Sequence, residues 1–321
     1  MDGVVVVTGA NGHIGNNLSR QLVEHGYTVR GTVRSMDKAP NIEMEFVEAD
    51  VLNQEDWPRV LEGATGLFHL ATIYATSGDG QLILDTANKG TENVLRAAAA
   101  CGIKRVVYTS SVAAIGSTPK KVVKDESNWN DNFSMPYTRA KTESERRAWE
   151  LAKELDIDLR VINPSGVLGG SFSRPTPSTD IIGDAMKGKY PVVPKIPLAF
   201  VHVEDVATAH RLAYEVDDAN GRYVLAPYQN GTIHDLLKRA KKLYPKMKFP
   251  RFGIPLWLLP VVVFQDWFMG LFSGKRLLTR SAAKSFSKGD SKYSSKKAEN
   301  ELGITWKSYD DCIHDTVEAY K

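Results

Sequence analysis

The chain has 321 residues, 42% of them hydrophobic and 25% charged, with 41 Lys and Arg against 38 Asp and Glu for a net charge of +3. That balance excludes general disorder and fibrous repeats, and the length suffices for one large α/β domain, or a domain with a smaller lobe, around a sizeable core. Two cysteines, Cys101 and Cys312, exclude a disulfide framework and fit a reducing compartment.

Met1-Asp2-Gly3 leads directly into Val4-Val5-Val6-Val7, with no basic stretch and no long apolar run, so no signal peptide is expected. Near-continuous apolar runs at Val4–Thr8, Thr28–Val33, Met44–Val47, Gly66–Leu70, Arg105–Thr109 and Leu159–Ile162 alternate with helical spacing over Ile14–His25, Leu82–Cys101 and Tyr137–Leu155. Strands without polar alternation, set between amphipathic helices, are buried on both faces. The pattern therefore predicts a doubly wound parallel sheet of six or seven strands.

After Pro164 the chain becomes rich in Gly, Pro and Ser, as in Ser173-Arg174-Pro175-Thr176-Pro177-Ser178, which predicts loops leaving the sheet. Strand–helix patterns return at Phe200–Tyr214 and Arg222–Tyr244. The tail from Pro250 reads as mainly helical, ending in short helices near Ser294–Leu302 and Tyr309–Tyr320. The predicted organisation is a dinucleotide-binding domain over 1–163 and a smaller, mostly helical C-terminal substrate lobe over 164–321. Segments near 198–226 are expected to return to the sheet.

The loop after the first strand reads Thr8-Gly9-Ala10-Asn11-Gly12-His13-Ile14-Gly15. Glycines at this spacing permit a tight turn, a close approach to a pyrophosphate and close helix packing, and the helix N-terminus favours phosphate. This makes the fold class α/β of the Rossmann type. His13 is expected to contribute backbone more than side chain. The second strand ends Thr32-Val33-Arg34, where an NAD site would carry a carboxylate for the ribose 2′-OH. Arg34, aided by Lys38, suits a 2′-phosphate instead, so NADP(H) is favoured over NAD(H). Asp50 and Val51 follow the third strand, where a carboxylate can accept from an adenine amino group. Leu70-Ala71-Thr72 follow the fourth, where small residues let backbone meet ribose.

Tyr137 and Lys141 are four residues apart at a helix start, so both fall on one face. A nearby ammonium favours phenolate and makes tyrosine a usable acid/base near neutral pH. Ser110-Ser111 ends the fifth strand, where a hydroxyl can hold a carbonyl oxygen. Together with Arg105–Ser111, Asn163-Pro164-Ser165-Gly166-Val167, Phe200–Ala207 and Tyr293–Ala298, this order resembles the extended short-chain dehydrogenase/reductase family. Arg30-Gly31-Thr32-Val33-Arg34 resembles its dihydroflavonol reductase-like branch.

The resemblance implies Tyr137 as proton donor, Lys141 tuning Tyr137 and holding the nicotinamide ribose, and Ser111 orienting the carbonyl. It also implies Asn88 in a water-mediated proton relay, and Pro164 and Val167 as backbone near the nicotinamide amide. Leu168-Gly169-Gly170 departs from the Gly-Pro common in relatives. The expected activity is NADP(H)-dependent interconversion of a ketone or aldehyde and an alcohol. The alternatives are a sugar-nucleotide epimerase or dehydratase with no net redox change, and a non-catalytic NADPH sensor.

Seven histidines form no ligand cluster, His202, Asp205 and His210 included, so no metal is expected. Cys101 reads as a small buried apolar residue. Tyr74, Asn128, Trp129, Phe133 and Phe172 suit either a substrate pocket or lobe packing. Ile254–Phe272 is apolar, but Pro255 and Pro260 interrupt it and Asp266 alone costs about 2.5–3.5 kcal/mol at a bilayer centre. No transmembrane segment is expected, and the chain reads as cytoplasmic. Trp257, Phe264, Trp267, Phe268 and Phe272 read first as lobe core, with an apolar lid, a homodimer contact or a surface-lying membrane helix left open. Residues 273–297 carry eight Lys and Arg against Asp290 and read as a solvated surface. The expected partner is a small-molecule carbonyl or alcohol substrate, and no feature points to nucleic acid.

Overall fold

Val5 and Val7 pack into one apolar core with Leu18, Leu22, Val206 and Ala209, whereas Val6 packs into another with Trp57, Val94, Leu95 and Leu151. That opposite facing is what a strand covered on both sides requires. The structure is a computed structural model describing residues 3–72, 80–118, 122–190, 192–229, 231–250, 252–258 and 291–321.

In chain order the first elements are β1 (Val4–Thr8), α1 (His13–Glu24), β2 (Thr28–Val33), β3 (Glu45–Glu48), α2 (Trp57–Leu61), β4 (Ala64–His69) and α3 (Gly80–Ala100). They are followed by β5 (Arg105–Thr109), α4 (Val112–Ile115), α5 (Pro136–Leu155), β6 (Asp158–Pro164), β7 (Gly166–Leu168), α6 (Pro177–Met186) and β8 (Val192–Pro194). The remainder are β9 (Phe200–His202), α7 (Val203–Glu215), β10 (Gly221–Leu225), α8 (Ile233–Leu243), β11 (Phe252–Ile254), α9 (Lys296–Leu302) and α10 (Tyr309–Ala319).

Seven strands form one parallel sheet in the order β10-β6-β5-β4-β1-β2-β3. The order reverses between β1 and β4, so the ligand crevice of such a sheet opens at the carboxyl ends of those strands. The predicted doubly wound sheet is therefore present.

One detail of the later chain differs from expectation. Of the segments near 198–226, β10 joins the sheet beside β6, but β9 pairs with β7 in a separate ladder. The chain peels away there because Ser165 N donates to Leu225 O while Gly166 N donates to Ala199 O. A methyl on Gly166 would lie 2.9 Å from the Phe200 ring, so glycine allows this close seating. The tail is also less helical than predicted, since β11 pairs with β8. Trp257, predicted as lobe core, is 76% exposed to solvent among the described residues. Phe264, Trp267, Phe268, Phe272 and most of the basic stretch lie outside the described residues.

The lobe has its own core, built from Leu168, Ile182, Phe200, Leu236, Leu237, Ile313 and Val317. Its three helices α6, α8 and α10 each start with a reciprocal capping box, Thr176/Thr179, Thr232/Asp235 and Ser308/Asp311. Such boxes satisfy otherwise orphaned N–H groups at the helix start.

The outer edge of β10 is closed by side chains. Val224 N donates to Glu126 Oε1 at 2.9 Å, Ala226 N donates to Ser295 Oγ at 2.8 Å, and Arg222 O accepts from Lys297 Nζ at 3.2 Å. Lys297 also lies 4.4 Å from the Tyr223 ring centre, so this member of the basic stretch is built into the fold. Among the described residues, no helix is long and apolar enough to cross a membrane.

Candidate functional site

Gly9 turns the chain out of β1 with φ +68°, a conformation that favours glycine. Gly12 N closes the turn on Gly9 O at 2.9 Å. A methyl on Gly15 would stand 2.2 Å from Gly9 O, so only glycine lets α1 start this close to the strand. A methyl on Gly12 would meet nothing but Gly9 O within 4 Å, which leaves its outer side open. No side chain caps α1, and its first turn holds no acid. Its leading N–H groups and dipole therefore suit an anion, and the loop fits a dinucleotide pyrophosphate.

Thr8 ties this turn to β4. Its Oγ1 accepts from Leu70 N and Ala71 N, both at 2.9 Å, so its single proton goes to His69 Nδ1 at 2.9 Å. His69 is thus neutral with its proton on Nε2. Burial, with Lys141 nearby, pushes its pKa down to about 3. The His13 side chain reaches the lobe, with Nε2 3.1 Å from Gly170 O, and burial lowers its pKa to about 4.

Two cavities run along the carboxyl ends of the strands. The larger, about 730 Å³, is lined by Gly9, Gly12, His13, Ile14, Gly15, Arg34, Leu70 and Thr72 at one end and by Ser111, Tyr137, Lys141, Pro164 and Val167 at the other. The smaller, about 190 Å³, is lined by Asn11, Arg34, Asp50, Val51, Leu70, Ala71 and Thr72 among others. The fold thus brings the residues selected from sequence for the cofactor and for catalysis to these two linings, with two exceptions. Lys38 sits exposed in a short 3-10 turn, Met36–Lys38, outside both linings. Asn88 lies on α3 with Nδ2 3.5 Å from Glu143 Oε2, also outside them. Asp50 lines the smaller cavity, but its Oδ1 accepts from Leu52 N at 2.9 Å and holds its own turn.

Pro136 occupies the first turn of α5, where a missing N–H costs nothing, and Tyr137 and Lys141 follow one turn apart. Lys141 is 4% exposed and donates to Thr109 O at 2.9 Å. Burial pushes its pKa down to about 8, and Glu145 one turn further on opposes that shift. Glu145 is itself fully buried, accepts from Asn163 Nδ2 at 2.8 Å and lies 2.6 Å from Arg222 Nε.

Thr109 is fixed from behind by His210. Val206 O can only accept, so His210 Nδ1 donates to it at 2.7 Å and neutral Nε2 takes the Thr109 hydroxyl proton at 2.7 Å. Ser111 caps α4, its Oγ accepting from Ala113 N at 3.1 Å. Its own proton finds Pro164 O only at 3.5 Å, so it is available to a substrate oxygen.

Other lining residues escaped the sequence reading. Val112, Met135, Ile181, Leu198 and Ile233 add apolar side chains to the lining that holds Tyr137, and Arg174 joins it from the lobe. Nothing local in the sequence marks these residues, because loops and lobe elements far apart in the chain bring them together. Asn128, Trp129, Phe133 and Phe172 are not in either lining. The Trp129 ring lies 3.9 Å below the Arg222 guanidinium, Phe172 packs edge-on against His13, and Phe133 is exposed. Tyr74 lies outside the described residues. Cys101, expected to be buried, is half-exposed beside Pro58.

Comparison with known proteins agrees with this geometry. Residues 5–226 match the NAD dependent epimerase/dehydratase family. The chain is 36% identical over 266 residues to cinnamoyl-CoA reductase 2 of Medicago truncatula, covering 76% of this chain and 78% of the relative. It is 31% identical over 274 residues to the bifunctional dihydroflavonol 4-reductase/flavanone 4-reductase of Malus domestica, covering 77% and 78%. The crystal structure of Gre2 from Candida albicans in complex with NADPH superposes with a TM-score of 0.77 at 27% identity, covering 99% of this chain and 98% of the other. With the glycine loop, the ordered Ser111, Tyr137 and Lys141 and matches of this extent, the chain belongs to the NAD dependent epimerase/dehydratase family, among the dihydroflavonol reductase-like relatives of the extended short-chain dehydrogenase/reductases.

Proposed function

We propose that this chain is an NADP(H)-dependent oxidoreductase that interconverts a ketone or aldehyde and an alcohol, with Tyr137 as the general acid/base. The observation that carries this reading is that Ser111, Tyr137 and Lys141 line one cavity with the glycine loop and Arg34. The names of the relatives, cinnamoyl-CoA reductases and a dihydroflavonol 4-reductase, support carbonyl reduction, and the NADPH-bound Gre2 supports the cofactor.

The glycine loop would hold the pyrophosphate, Arg34 the 2′-phosphate, and Lys141 the nicotinamide ribose. When bound, the cofactor supplies or accepts the hydride. The remaining chemistry belongs to the chain. Ser111, its oxygen held by the α4 cap, donates to the substrate oxygen and fixes its direction. Tyr137 delivers a proton to that oxygen, and the Lys141 ammonium stabilises the phenolate left behind. The apolar wall of Val112, Met135, Ile181 and Leu198 excludes water and strengthens these contacts.

Two measurements test the reading. Tyr137→Phe is expected to lower kcat by about a hundredfold or more while NADPH affinity stays within about twofold. A Phe variant of normal activity would remove Tyr137 as the acid. Incubation with NADPH or NADH against ketones, aldehydes and nucleotide sugars is expected to show net oxidation with NADPH preferred. A sugar product formed without net cofactor change would make the chain an epimerase or dehydratase instead.

A further inference from the structure

The smaller cavity holds a feature that the β2 arginine does not account for. Its lining runs through Gly9, Asn11, Arg34, Asp50 and Thr72, residues at the ends of the first four strands, and every lining residue but one comes from the first 86 positions. The exception is Arg174, which also lines the larger cavity beside Arg34. Both arginines are exposed, and neither makes an ion pair or hydrogen bond among the described residues. Asp50, the acid in that lining, accepts from Leu52 N at 2.9 Å. Two unpaired guanidinium groups on one small cavity are an arrangement that an anion stabilises.

Arg174 does not reach this place on a free loop. Gly170 O accepts from His13 Nε2 at 3.1 Å and from Asn17 Nδ2 at 3.3 Å. Asn17 Nδ2 also reaches Ser171 O at 3.4 Å, and the Phe172 ring sits 5.4 Å from the His13 ring. Ser173 Oγ donates to Asn11 O at 2.8 Å. Four successive residues are thus fastened to the glycine loop and α1, and Arg174 is the fifth. Pro175 and Pro177 stiffen the chain immediately beyond it. A guanidinium held in this way loses less freedom on binding than one on a loose loop.

We infer that Arg174 is a second guanidinium for the 2′-phosphate of the dinucleotide, supplied by the lobe and facing Arg34 across the phosphate. The inference builds on the NADP(H) reading of the proposed function. A phosphomonoester carries about −1.5 to −2 charges near neutral pH, and its three terminal oxygens can serve two planar forks. The NAD(H) 2′-hydroxyl offers no charge to either arginine. The lobe would in this way contribute to cofactor choice, a task assigned from sequence to Arg34 and Lys38.

Equilibrium titrations of the full chain with NADPH, NADH and 2′,5′-ADP test this, on the wild type, Arg34→Ala and Arg174→Ala. Arg174→Ala is expected to weaken NADPH and 2′,5′-ADP by about 10- to 100-fold and NADH by no more than about twofold. Its thermal unfolding without ligand should match the wild type, since the side chain is exposed and unpaired. Equal weakening of NADPH and NADH would move Arg174 to the pyrophosphate, and no weakening of either would leave it a surface residue. Both results overturn the inference. If Arg34→Ala selectively loses NADPH while Arg174→Ala does not, this inference alone fails. If the wild type binds NADH as tightly as NADPH and Arg34→Ala changes neither, the NADP(H) reading beneath it fails.

Discussion

Lys141, proposed above to stabilise the Tyr137 phenolate, is held where burial disfavours its charge. Its buried ammonium titrates at about 8 instead of 10.5. An unfolded chain keeps that proton to a pH of about 10.4, so between the two values the unfolded state binds more protons and stability rises with pH. Below pH 8 both states are charged and the burial penalty is fully present. Lys141→Met should therefore raise stability at pH 7 by about 1–3 kcal/mol, less than the whole penalty because the bond to Thr109 O is lost, while abolishing turnover. The gain should vanish above pH 10.5, which denaturant unfolding at several pH values would reveal. A loss of stability at pH 7 would mean that Thr109 O and Glu145 more than offset the burial. The position of Lys141 was legible because Tyr-x-x-x-Lys is a spacing along one helix. Its depth was not, since Thr109 reaches it from β5 with His210 of α7 behind, and Glu145 of the same helix is held by Asn163 and Arg222 from β6 and β10.

At the scale of elements, two glycines of similar tightness separate packing from site geometry. A methyl on Gly15 would collide with backbone at Gly9 O, and one on Gly66 would come 2.3 Å from the Tyr214 hydroxyl on α7. Overpacking of this kind costs about 1–3 kcal/mol, so both Ala variants should unfold at lower temperature. Only Gly15→Ala should also weaken dinucleotide binding, by about tenfold or more, because it lifts the N-terminus of α1 off the turn. Cofactor titration alongside thermal unfolding distinguishes the two. A Gly66→Ala variant with the same binding defect would mean that the sheet transmits the strain. The long doubly buried strands and helices were readable from sequence because their apolar runs cannot be accommodated otherwise. Strands β7, β8, β9 and β11 have three residues each, too few to display a period, and their pairing depends on partners more than thirty residues away.

For the whole molecule, the glycine loop and the lobe are joined at Asn11, His13 and Asn17, so a bound dinucleotide should stabilise the chain as one unit. NADPH at a hundred times its Kd is expected to add about 2.7 kcal/mol to unfolding, seen as a shift of a single thermal transition. NADH at the same concentration should add less. Two transitions of which only the earlier shifts would separate the lobe from the cofactor. The outer edge of β10 has a different consequence. An open strand edge is ordinarily a template for another strand, through its row of unsatisfied amides and carbonyls. Here Glu126 occupies that row from one segment, and Ser295 and Lys297 from a second far along the chain. Until the segment bearing Ser295 and Lys297 docks, the sheet offers a sticky flank to other copies. Once it docks, a second chain cannot lengthen the sheet there, and Ser295 and Lys297 act as the guard that ends that exposure.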